Sequence, residues 1–469
     1  MPGAAGHFVY SARFARTMHV WHDLRLTSRK SRAFLCVLFV LFNVFAVVRA
    51  LPINSSLHEN READRGTYNR NVYRVFKLAK RQAEPPFFEV KNHIIFFDRN
   101  PGMFMFAAEL FVRAGATTPL PNQLLSIALW DAGLLLLYLW LLALLRSELA
   151  AAAGVAHLTF TPFLLFYSSS IHHEPWCFFF FNLTLYSYIS YLRSDERRHL
   201  VATGIAYFFL CQSYWFYYMS AGLMLIALQW RERKLSARDT LILGLVPVVA
   251  TLTTFLQVCY ALGGVDAALF RMKDIAAART LDMRIENSQW YPERTFVKAY
   301  HWKHYPELVR ERIERLSGTS LVAFSSMLVA SVAMAGRAAR RRLGFMLLVL
   351  LAGASWNLVM IQHTVIHRFA GMYGWFAWTL IVAVFVRELE FIVKPRRLPR
   401  FVLGFALPLA WLTLSGEYAP FLQRYVTAVQ TGEAQPHDAP KRTKPSKSKK
   451  KPEPQPPPAD SLSEDDLRE

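Results

Sequence analysis

Residues 120–145 read LPNQLLSIALWDAGLLLLYLWLLALL. Asp131 is the one charged residue in a mostly apolar stretch, which carries Asn122, Gln123 and Ser126 near its start and no lysine or arginine. At 1.5 Å per residue, about 20 such residues cross the hydrocarbon core of a bilayer, and a helix satisfies its own backbone there. The stretch stops at Arg146. It reads as a membrane span, and similar segments recur on both sides of it.

Upstream, Ala33 to Ala50 (AFLCVLFVLFNVFAVVRA) is a second span, preceded by a basic leader, residues 1–32, with Arg13, Arg16, Arg25, Arg29, Lys30 and Arg32. No A-x-A cleavage site follows it, so it reads as a retained signal anchor with the leader in the cytoplasm. Downstream, the apolar runs are Leu149 to Tyr167, Pro175 to Leu192, Leu241 to Leu262, Ser320 to Ala335, Leu343 to Ile361, Phe369 to Val386 and Phe401 to Leu414. Leu200 to Trp230 is too long for one span and is interrupted by YWFYY, Tyr214 to Tyr218, so it reads as two short helices. The connections RSDERR, RERKLSAR, RAARRR and KPRRLPR fall on one side in this alternation and are all basic, as expected of cytoplasmic loops. The expected fold is an all-α polytopic membrane protein of roughly 11 transmembrane helices, occupying residues 33–415. Two large extracytoplasmic loops, residues 51–119 and 263–319, complete it. The tail, residues 416–469, is Pro/Lys-rich and then acidic, and is expected to be disordered from about residue 431.

The composition agrees. Of 469 residues, 53% are hydrophobic and 19% charged, yet the net charge is +20. Soluble domains carry about 25% charged residues, so the chain is too apolar for a nucleic-acid binder, and no nucleic-acid partner is expected. A disordered acidic chain, a coiled coil and a disulfide scaffold are excluded too. Cys36, Cys177, Cys211 and Cys259 lie in apolar runs without metal-ligand spacing and read as small buried hydrophobes.

Unusual polar residues collect on the side opposite the basic connections. In the first loop, Asp64 lies in ADRGTY soon after the first span, where an acid could serve as general base or metal ligand. On residue type alone, a solvated acid paired with a nearby arginine is the simpler account. Asp98, in FFDRNPG, is a second candidate acid or a turn residue before an amphipathic stretch, Gly102 to Val112. The next outer turn, SSSIHHEPW, carries His172, His173 and Glu174, which are costly at a membrane boundary unless paired or wet. They read either as a metal site, against which stands that adjacent histidines point in different directions, or as an interfacial turn anchored by Trp176. In QHTVIHRF, His363 and His367 share a helical face beside Arg368, a set suited to an anionic group such as phosphate, equally to a metal ion held at i and i+4, or to a polar bundle interior with the histidines bonded to neighbours. The second loop is basic and aromatic: Arg271, Lys273, Trp290, Tyr291, Trp302 and Lys303 suit a phosphate or glycan, or equally an amphipathic helix on anionic lipid.

The order of parts resembles the GT-C class of polytopic glycosyltransferases, which use lipid-phosphate sugars and include protein mannosyltransferases and aminoarabinose transferases. The resemblance runs from Ala33 to about Arg387. It rests on a single span, an outer loop with an early acid, the segment RNPGMFMFAAELFVRAGA, a tight pair of spans and the turn FYSSSIHHEP. ADRGTY is similar to the family's D-E-G-x-Y pattern, with Asp64 in the Asp position and Arg65 where a second acid stands, so a divalent metal is compatible with the resemblance but not specified by it. FFDRNPG lies where many members have a His-Pro-Pro-like motif, and QHTVIHRF resembles a late span facing the donor phosphate. The resemblance implies transfer, with inversion, of a sugar from a polyprenyl-phosphate donor to a glycan, lipid or protein acceptor. Asp64 is then the catalytic base, with Asp98 in reserve, and His172, His173, Glu174, His363, His367 and Arg368 bind substrate. No certain cofactor is implied. The expected location is a bacterial inner membrane with a periplasmic site, or the endoplasmic reticulum with a lumenal one. Two other classes compete: a transporter or flippase of a lipid-linked or anionic solute, which would place charges at mid-membrane and show repeats, and a membrane-bound acyltransferase, with Asn357 and His363 as a faint polar pair.

Overall fold

The computed structural model describes residues 27–55, 79–80, 103–169, 171, 173–215, 217–232, 236–280, 305–336, 339–361 and 372–393. Among these residues helix predominates and no strand occurs. The helices are α1 (Arg29–Ser55), α2 (Met103–Arg113), α3 (Leu120–Leu145), α4 (Glu148–Thr159), α5 (Pro162–Tyr167), α6 (Glu174–Ser194), α7 (Arg197–Ser213) and α8 (Tyr217–Glu232). They continue with α9 (Ala237–Leu262), α10 (Val265–Thr280), α11 (Tyr305–Ser317), α12 (Leu321–Met334), α13 (Ala339–Val359) and α14 (Trp375–Val393).

The chain has the character of an all-α membrane protein, but the expectation of roughly 11 spans needs correction. Among the described residues, four helices are long and apolar enough to cross a membrane: residues 29–48, 120–145, 237–260 and 339–359. A fifth span arises if α11 and α12, bent by 84°, count as one. The shortfall has physical causes. The run Leu149 to Tyr167 is split at Pro162, whose ring cannot continue a helix from the preceding turn, leaving α4 with 12 residues and α5 with 6. Thr161 caps the restart, its hydroxyl accepting from the Leu164 N–H at 3.3 Å. The 17 residues of α7 and 16 of α8 are each short of a bilayer crossing. The polar positions of α6, from Asn182 to Ser194, and Arg387, Glu388 and Glu390 in α14 dilute two longer helices. The expected span Phe401 to Leu414 lies outside the described residues.

α3 is the hub, packed against α6, α4, α1 and α14. Gly133 makes the α3–α6 approach: a Cβ there would lie 2.3 Å from the Phe178 ring. Trp140 Nε1 donates to Asn182 Oδ1 at 2.8 Å across the same seam. α4 packs on α14 through alanines and Gly154, where a Cβ would lie 3.2 Å from Ala383 Cβ and 3.3 Å from Thr379 Cγ2 of α14, the small-residue contact by which helices approach closely without a hydrophobic drive. Outward faces are apolar: Val37, Val40, Leu41 and Val44 on α1, and Leu245, Val248, Leu252 and Leu256 on α9, are exposed. Such surface would be a liability in water and suits lipid.

The helix ends sort into two groups. At one, Tyr191 of α6 donates to Asp239 of α9 at 2.6 Å, Thr240 of α9 to Gln229 of α8 at 2.9 Å, and Ser28 and Ser31 reach Glu148 of α4. The last carbonyls of α3 are closed there as a set. The Arg146 N–H takes the Leu142 carbonyl at 2.8 Å, while Arg193 of α6, Arg231 of α8 and Arg387 of α14 donate to the carbonyls of Ala143, Leu144 and Leu145. Cations at a helix C-terminus satisfy orphan carbonyls and oppose the macrodipole. We term this the arginine end.

Candidate functional site

The opposite end holds the part of the outer polar set that the structure describes. Asp64, Asp98, His172, His363, His367 and Arg368 lie outside the described residues, so the structure places only His173 and Glu174 of the expected set.

α6 begins at this pair for local reasons. Pro175 sits in the first turn, where its missing N–H costs nothing, and Glu174 places a carboxylate at the positive end of the helix dipole. Both side chains are buried, 2% and 3% exposed, with His173 Nε2 3.2 Å from Glu174 Oε1. The His173 ring stacks on Tyr214 with centroids 3.5 Å apart and planes within 6°. Tyr214 ends α7 in extended backbone, so the YWFYY break between α7 and α8 delivers the aromatic face that covers the imidazole. Phe104 of the amphipathic α2 lies 6.4 Å from the same ring, and Ser213 Oγ lies 3.6 Å from Met103 Sδ, docking α2 over this end.

Beneath the pair is an aromatic wall. Tyr217 meets Phe181 edge-on at 5.7 Å and Tyr373 at 5.8 Å. Trp375 lies 4.7 Å from Phe178, and Trp130 lies 4.6 Å from Phe178 while donating to the Tyr167 carbonyl at 3.1 Å. Tyr217 and Tyr373 are fully buried and within electrostatic reach of Glu174. A carboxylate is thus set among phenols with an imidazole against it. Such a group can accept a hydrogen bond from a ligand hydroxyl, or hold and return a proton, in surroundings that strengthen both interactions by excluding water.

Tyr373 and Phe104 were not singled out from sequence, and Tyr214 and Tyr217 only as part of the helix break, not as site residues. The visible signal for the latter two was YWFYY placed between half-length apolar runs; none marked Tyr373. Among the described residues no group of three or more His, Cys, Asp or Glu side chains is arranged to hold a metal ion. Of the second loop, α10 and α11 are described and residues 281–304 are not; Arg310 pairs with Glu307 within α11. Compared with known proteins, the chain matches no family model and no curated protein.

Proposed function

We propose that this chain is a GT-C-like glycosyltransferase that moves a sugar from a polyprenyl-phosphate donor to an acceptor hydroxyl on the extracytoplasmic face. The observation that carries the reading is the buried Glu174–His173 pair stacked on Tyr214 at the end opposite the arginine end. Buried ionisable groups at a membrane boundary are costly and are kept where they act on a ligand. The turn that bears them is one the family resemblance assigns to the site.

In this reading the acceptor O–H gives its proton to a carboxylate, Asp64 first and Asp98 in reserve, as the oxygen attacks the anomeric carbon from the face opposite the phosphate. The bond from that carbon to the phosphate oxygen breaks, and its electron pair leaves with the lipid phosphate. Arg368, His363 and His367 balance that charge. His172, His173 and Glu174 orient the sugar hydroxyls. The enzyme is a multi-pass hexosyl- or pentosyltransferase of the bacterial inner membrane or the endoplasmic reticulum.

The test uses the full chain in lipid with a radiolabelled polyprenyl-phosphate sugar and a membrane extract supplying acceptors. Asp64→Asn should lose roughly 10²–10⁴-fold in transfer rate, the usual worth of a general base, while still binding donor. Equal activity of wild type and Asp64→Asn removes Asp64 from the role. Failure of the wild-type protein to bind any polyprenyl-phosphate sugar overturns the class.

A further inference from the structure

The arginine end holds more positive charge than its own carboxylates neutralise. The Arg231 guanidinium lies within electrostatic range of Arg341, Arg342 and Arg387. Arg341 donates to the Arg231 carbonyl, which spends none of its charge. Arg342 lies 2.6 Å from Glu388 Oε2, and Arg387 pairs with the other oxygen of that carboxylate. Glu232 lies 3.5 Å from Arg231. Among the described residues these four guanidiniums therefore pair with two carboxylates, and Glu390 of α14 is engaged by the Ser147 hydroxyl. Like charges held this close repel, and the arginine fork matches phosphate oxygens two at a time.

A second, independent feature begins at the same place. Arg340 and Arg341 are exposed in the first turn of α13. Leu343, Leu347 and Leu351 then follow at helical spacing, 39%, 53% and 45% exposed, forming an apolar stripe that runs down from the guanidiniums. From Arg340 to Leu351 the helix rises about 16 Å, close to half of the roughly 30 Å hydrocarbon core. Phosphate-binding charge above one leaflet's depth of apolar surface is the shape of a phospholipid.

We propose that the first turn of α13 and the stripe below it bind an anionic phospholipid, its phosphate on Arg340 and Arg341 and one acyl chain along Leu343, Leu347 and Leu351. A zwitterionic lipid would bring its own cation against the guanidiniums, so the site discriminates by headgroup charge. It lies at the end remote from His173 and stands whether or not the chain transfers sugars.

The test titrates the full chain in neutral detergent with short-chain phosphatidylglycerol, phosphatidylcholine or inorganic phosphate, reading occupancy by native mass spectrometry and the thermal midpoint. Wild type should bind phosphatidylglycerol about tenfold or more tightly than phosphatidylcholine, and added salt should weaken the preference. Arg340→Gln/Arg341→Gln should abolish it, Arg340→Gln alone should reduce it severalfold, and Leu347→Ser should weaken phosphatidylglycerol binding. All three positions are exposed, so equal midpoints in phosphatidylcholine should show intact folding; if the double variant does not fold, Arg340→Gln alone decides. An unchanged preference in the folded variants overturns the proposal, as does displacement of phosphatidylglycerol by millimolar inorganic phosphate alone.

Discussion

At His173 the packing and the chemistry can be separated by substitution. The ring contributes a flat face to Tyr214 and a nitrogen to Glu174. His173→Phe keeps the first and removes the second; His173→Ala removes both. The thermal midpoint of His173→Phe should therefore stay within a few degrees of wild type, while His173→Ala falls further by the lost aromatic stack, about 0.5–1.5 kcal/mol beyond area burial. If both variants melt together, the stack contributes nothing. A second residue-scale device sits within α3: Asn43 Nδ2 of α1 donates to Asp131 Oδ2 at 2.8 Å, and the other carboxyl oxygen of Asp131 is buried without a hydrogen-bond partner among the described residues. Asn43→Leu strips the carboxyl of its donor and should destabilise by about 1–2 kcal/mol. The double variant Asn43→Leu/Asp131→Leu should regain most of that loss, because an apolar pair leaves nothing unsatisfied. Equilibrium unfolding in lipid measures the cycle, and a double variant no better than Asn43→Leu would show that the pair is not coupled.

Among the elements, α3 is held by a seam along its length and a cap at its end. Gly133→Ala drives a methyl into the Phe178 ring, itself fixed between Trp130 and Trp375, so the cost should be about 1–3 kcal/mol of overpacking. Adding Phe178→Leu should recover part of it by opening room; a Gly133→Ala protein as stable as wild type would mean that α3 and α6 slide apart freely. The cap makes a graded prediction. Arg231, partly buried, donates to Leu144, whereas Arg193, exposed, donates to Ala143. Replacement by Met should cost more at Arg231, about 1–3 kcal/mol for a carbonyl left unmet by a charged donor, than at Arg193, where water replaces the bond. Chemical denaturation of the two variants ranks them, and the reverse order would refute the capping account.

Across the whole molecule, the described arginines of the basic connections, Arg193, Arg231 and Arg341 among them, and the described part of the outer polar turn lie at opposite ends of one bundle, which fits a membrane between them. Thr117→Cys near the start of α3 and Arg340→Cys at the start of α13 place exposed thiols at the two ends. Of the four cysteines expected to be buried, Cys177 and Cys211 are, whereas Cys36 is exposed on the outward face of α1 and Cys259 half-buried on α9. In a background with Cys36 and Cys259 replaced by Ser, a membrane-impermeant maleimide applied to sealed vesicles should label one site and spare the other. Labelling of both from one side would break the two-ended arrangement. Much of this scale was legible beforehand. The bounds of α3 coincide with the expected run, α2 falls on the expected amphipathic stretch, and α7 and α8 part at YWFYY, because a switch in polarity or a crowd of bulky rings is written in consecutive residues. The count of spans was not legible in the same way, since it turns on whether apolar runs such as Leu149 to Tyr167 stay continuous once Pro162 and Thr161 compete for the backbone.

Composition and order alone determined that this chain is helical, apolar outward and polarised end to end, because hydropathy and the placement of arginines act through local stretches of chain. They also marked His173 and Glu174, since charge inside an apolar run is visible without knowing its neighbours. Only the tertiary structure decided that His173 lies on Tyr214, that Tyr373 stands beneath it, and that Arg193, Arg231 and Arg387 converge on the end of α3. Those contacts join residues far apart in the chain. A helix sets which residues share its face, but which other helix meets that face depends on how small residues such as Gly133 and Gly154 let backbones approach, a matter of packing in three dimensions.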